Sequence, residues 1–175
     1  MHLAAISLIA LTLLVIAYQD YTTRMVHWVS FPLLAAGGIL VGAWELSSLS
    51  HLLRYAFLNL LFLALQFILL KGYYLARHRK NQLIIDKKIG LGDILFLSAA
   101  AFFFSPLNFI FFYVLSLVLS LLFWSLRNLV RRSADASIPL AGYQASFLLL
   151  AVVFSVITGF PILNDSWAMS KILRL

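Results

Sequence analysis

The stretch Lys87-Lys88-Ile89-Gly90-Leu91-Gly92-Asp93-Ile94-Leu95-Phe96 sets an acid at the mouth of an apolar run. A second acid, Asp20, closes the first apolar run of the chain, residues 1–19, which contains no Lys or Arg. The 175 residues are 63% hydrophobic and 11% charged, with a mean hydropathy of +1.01. Soluble domains average about 45–50% apolar and about 25% charged residues. The excess falls in runs of about 20 residues, the length that crosses a bilayer. The fold expected is therefore all-α: one polytopic membrane domain, residues 1–175, with six transmembrane helices.

Six spans are expected, at residues 1–19, 26–44, 52–70, 89–105, 107–126 and 138–158. The first lacks the basic start of a secretory signal and reads as an uncleaved span. Pro32 and Gly37-Gly38 predict a kink in the second, where neighbouring helices must satisfy the freed backbone. Asn59 and Gln66 are expected to bridge helices. Phe102-Phe103-Phe104 and 109–113 are expected to face lipid. Gly159-Phe160-Pro161 ends the last span.

Charge gives a topology. The loops after the first, third and fifth spans hold ten of the thirteen Lys and Arg residues. By the positive-inside rule those loops are cytoplasmic and both termini lie on the non-cytoplasmic side. The formal charge of +7 is thus a topology signal, reinforced by attraction to anionic lipids, and no nucleic-acid role is expected. There are no cysteines, which excludes disulfides and thiolate chemistry. Neither His27 nor His78 stands at metal-ligand spacing from another ligand, and both read as loop residues. No metal or cofactor is expected.

Of the six acids, Glu45, Asp86, Asp135 and Asp165 fall in loops or the tail. Asp20 faces the negative end of a helix macrodipole, where a cation would be favoured. Asp93 stands four residues, or about 6 Å, inside a span that begins at Ile89. An ionisable group at that depth is a candidate functional group whose partner should be named, and topology brings Asp20 to the same depth. Gly90 and Gly92 let backbone approach closely or take positive φ. Two carboxylates within reach share one proton rather than both ionising. The ionised member takes a proton from water; the protonated one holds the scissile carbonyl and later protonates the leaving amine. The alternatives are a non-enzymatic assembly component in which Asp20 and Asp93 only pair or cap, and a small proton-coupled transporter.

Gly90-Leu91-Gly92-Asp93 is the GxGD signature of membrane aspartic proteases. With Asp20 closing the first span and six spans in all, the chain resembles the type IV prepilin peptidase and preflagellin peptidase family. Ile138-Pro139-Leu140-Ala141-Gly142 looks like the segment that opens the last span there. Presenilin-like proteases share GxGD but pair it with an acid on the span immediately before. The resemblance implies Asp20 and Asp93 as catalytic residues, supported by Gly90 and Gly92. It also implies a pilin-like precursor with a basic leader and an apolar helix as substrate. The implied location is the inner (plasma) membrane, with the active site at its cytoplasmic face. The chain looks like a short form, without the N-terminal domain linked to methylation.

Overall fold

A computed structural model describes residues 2–46, 48–78, 90–131 and 138–165. These form six helices: α1 (His2–Thr23), α2 (Ser30–Glu45), α3 (Leu49–His78), α4 (Leu91–Ala100), α5 (Pro106–Arg131) and α6 (Leu140–Thr158). Four of them, α1, α3, α5 and α6, are long and apolar enough to cross a membrane. The all-helical class is as expected from composition.

The equal-length spans read from the sequence are not what forms. The fourth, 89–105, is helical only over the ten residues of α4. At 1.5 Å per residue this is about 15 Å, half of a hydrocarbon core of about 30 Å. The second loses its start, because residues 26–29 are loop and turn and α2 has 16 residues. Pro32 therefore falls in the first turn of α2, where its missing N–H is no loss. In contrast, α3 and α5 run to 30 and 26 residues and carry Lys71 and Arg127 on helix rather than loop. His78, expected in a loop, is the last residue of α3. Most of the first basic loop, 79–89, and 132–137 of the second lie outside the described residues, as do Asp86 and Asp135.

The bundle is held by stripes at helical spacing. Along α1 the buried positions include Ile9, Leu13, Ile16 and Asp20, flanked by Thr12 and Ala17; along α6 they include Ala141, Ala145, Leu148 and Val152, flanked by Gly142 and Gln144. Both follow steps of four, three and four, one face of a 3.6-residue helix. Among the described residues these two helices make the most extensive contact and run antiparallel, the end of α1 meeting the start of α6. The aromatic segment departs from its expected role. Phe103, Phe104, Phe109 and Phe112 are core, and Phe104 stacks on Phe112 at 4.8 Å, whereas Phe111 is exposed. Because α4 stops early, its following turn is folded inward and takes two of these rings with it.

That turn sits in protein and needs partners for its carbonyls. Asn59 of α3, fully buried, donates from Nδ2 to the carbonyls of Ala101 and Phe104, both at 2.9 Å. Asn59, expected to bridge helices, instead joins α3 to the turn that follows α4. Non-helical backbone at such depth is tolerated only where protein satisfies it. Ser105 and Asn108 hold the carbonyl of Ile162, tying the segment after α6 to the same corner.

Candidate active site

The first turn of α6 is the centre of the site. A helix begins with N–H groups that have no partner inside the helix. Pro139 precedes the first turn and is fully buried, so these donors lie away from solvent. The N–H of Leu140 turns back to the Ile138 carbonyl at 2.9 Å, and that of Tyr143 starts the helical ladder on the Pro139 carbonyl at 3.2 Å. The two between them belong to Ala141 and Gly142. The Gly142 N–H donates to Asp20 Oδ2 at 2.6 Å. The Ala141 N–H is directed at the Asp93 carboxylate. The first turn of α6 thus holds Asp20 by a direct hydrogen bond and lies against Asp93.

Each acid arrives on its own inward stripe. Asp20 continues the Ile9–Leu13–Ile16 face of α1 and is buried, 8% exposed. It lies within the helix, not after it, because α1 continues to Thr23. Arg24, at φ 58, leaves the helix in the left-handed region, and its charge reaches Asp20. The chain then returns to α2 through a loop fastened by Gln19, whose Oε1 accepts the His27 N–H at 2.9 Å. Asp93 is the third residue of α4, one turn before buried Phe96 and Leu97. Its carboxylate also folds back over the Gly90 backbone, half of the reciprocal cap seen when an acid stands three residues into a helix. The two carboxylates are close enough to interact electrostatically.

Two glycines carry the approach, and only one was expected to. A Cβ on Gly142 would stand 3.1 Å from Asp20 Oδ2 and 3.2 Å from both Asp20 Cβ and Tyr21 Cε1. On Gly90 it would stand 3.1 Å from Asp93 Oδ2. At Gly92 it would meet only Phe31 Cζ at an ordinary 3.9 Å. Neither Gly90 nor Gly92 uses positive φ, so the conformational reason expected for them does not apply.

Reading by residue type found Asp20 and Asp93, and the structure brings them together on one helix start. It missed the donors, Ala141 and Gly142, because backbone N–H groups leave no side-chain signature. The available signal was a proline opening an apolar helix with a glycine three residues on. It also missed Tyr21 and Ser146, which flank the Gly142 peptide. Among the described residues, no three His, Asp or Glu side chains gather into a metal-binding group. Comparison with family models, with curated proteins and with solved structures found no match for this chain.

Proposed function

We propose that this protein is a membrane-embedded aspartic endopeptidase of the type IV prepilin peptidase kind. The observation that carries the reading is the convergence of Asp20 and Asp93 on the first turn of α6, where the Gly142 N–H holds Asp20. One neutral acceptor per amide would cap a helix. Two acids set side by side in an apolar bundle supply more than capping needs, and what they add is a shared proton.

Chemistry follows from the way each is held. Gly142 engages Oδ2 of Asp20, and a carboxylate with one amide bound keeps further acceptor positions for water and for a shared proton. The ionised carboxylate takes a proton from water as it attacks the peptide carbonyl. The protonated one donates to the carbonyl oxygen and then protonates the departing amine. The helix start stabilises negative charge at the pair throughout. In this reading all six helices serve as spans or part-spans, the basic loops face the cytoplasm, and the site opens on that face of the plasma membrane. The substrate is a pilin-like precursor cut between its basic leader and its apolar helix, and the basic loops sit against anionic lipid.

The test is cleavage of a co-expressed precursor, read as a mobility shift. Wild type is compared with Asp20→Asn and Asp93→Asn at equal membrane abundance. Wild type cuts and neither variant does, the expected loss being on the order of 10²–10⁴-fold. Residual cutting by either variant at the wild-type rate rules out the shared-proton mechanism. Failure of wild type on several leaders favours a non-enzymatic role in which the acids only cap α6.

A further inference from the structure

The Gly142 peptide is gripped at both ends. Its N–H goes to Asp20. Its carbonyl accepts the Ser146 hydroxyl at 2.9 Å. A serine has a single O–H to give, and Ser146 gives it there. The contact between Ser146 Oγ and Tyr21 Oη, at 3.1 Å, therefore has Tyr21 as donor. Tyr21 is the residue next to Asp20 on α1. The result is a closed ring: Asp20 to Gly142, Gly142 to Ser146, Ser146 to Tyr21, and Tyr21 back to Asp20 through the chain. The tyrosine ring fills the rest of the space. Its Cε1 sits 3.2 Å from where a Gly142 side chain would begin, and its edge meets Tyr143 at 5.3 Å and 72°.

The geometry of this ring matters because of what it fixes. Asp20 and Tyr21 leave α1 about 100° apart, as neighbours on any 3.6-residue helix do. One takes hold of α6 at its first turn, the other one turn later. Together they set the rotation of α6 about its own axis, which decides whether the Gly142 N–H aims at Asp20. The second grip adds, beside the site itself, to what side-chain packing along α1 already fixes. We propose that Tyr21 is a positioning residue for Asp20, acting through Ser146 to hold the Gly142 amide on the carboxylate. This deepens the peptidase reading and rests on it for the catalytic consequence, but not for the ring itself.

Two readouts separate those two parts. The first needs no substrate. The Gly142 amide has no partner within its own helix, so its protection from hydrogen exchange reports its bond to Asp20. In bilayer nanodiscs, Tyr21→Phe, which keeps the ring and removes the hydroxyl, speeds exchange at Gly142 roughly five- to tenfold, the scale of one neutral hydrogen bond. Ser146→Ala does the same, and the double variant adds nothing, because both break one chain. Unchanged exchange in Tyr21→Phe, or effects that multiply in the double variant, overturn the proposal whether or not the protein cuts anything. The second readout is cleavage of a precursor: kcat falls in Tyr21→Phe by roughly the same factor while KM stays within about twofold, since substrate binding is untouched. Faster exchange with kcat unchanged leaves Tyr21 a purely structural residue and overturns the positioning role. A wild-type protein that cuts no precursor counts against the peptidase reading alone, because the exchange result still decides the ring.

Discussion

The two ends of this bundle face the same physical problem with opposite polarity. At one end α6 begins with unpaired N–H groups away from water; at the other α4 stops after ten residues and leaves carbonyls in the interior. The carbonyls are met by a neutral amide, Asn59, which serves two of them at 2.9 Å. The N–H groups are met by carboxylates, Asp20 and Asp93. A neutral Asn or Ser accepts from an amide adequately. Charge is expensive in an apolar surrounding, and a helix start offsets part of that cost. The carboxylates at the α6 end are the groups the proposed chemistry would use, whereas Asn59 serves backbone carbonyls alone.

Exchanging the two solutions is the sharpest way to break this contrast. Asp20→Asn and Asp93→Asn keep an acceptor for the Gly142 and Ala141 amides, so the bundle holds while cleavage falls on the order of 10²–10⁴-fold. Loss of fold together with activity would mean that the charge itself supports the structure. Next in size is Asn59→Leu. It leaves two buried carbonyls unpaired at about 1–3 kcal/mol each, seen as a lower unfolding midpoint in detergent titration. An unchanged midpoint would mean that the inward turn is not stabilised by Asn59. Gly142→Ala acts at the chemical end with a smaller effect. The added methyl crowds Asp20 and Tyr21, lowering stability by about 1–3 kcal/mol and turnover by roughly ten- to a hundredfold through misplacement of the acid. Smallest is the pair Gly90→Ala and Gly92→Ala. The first crowds Asp93 Oδ2 and slows turnover. The second meets only ordinary contact, and its unfolding midpoint stays or rises by up to about 1 kcal/mol, the gain in helix propensity.

Legibility followed side-chain chemistry. Asp20 and Asp93 stood out because charge is scarce in this chain, and α1 and α4, which carry them, both pack against α6. Asn59 was readable for the same reason, as one of two uncharged polar residues, with Gln66, in the apolar run 57–70. Hydropathy could not tell a spanning run from a half-length helix followed by a buried turn, because both are continuously apolar. Thus 89–105 read as a span and Phe103 and Phe104 as lipid-facing. The backbone donors of Ala141 and Gly142 were invisible to any scale that scores side chains. So was the choice between Gly90 and Gly92, which depends on where a neighbouring oxygen ends up.

The bond between Asp20 and Gly142 joins residues 122 positions apart. During synthesis the acid leaves the ribosome in the first helix, long before its amide partner has been made. Ser105 and Asn108 likewise wait 57 and 54 residues for the Ile162 carbonyl. The two acids and the corner opposite them are therefore completed by a single late event, the insertion of the last helix. A nascent chain that has not reached that point carries both aspartates without the helix start that receives them.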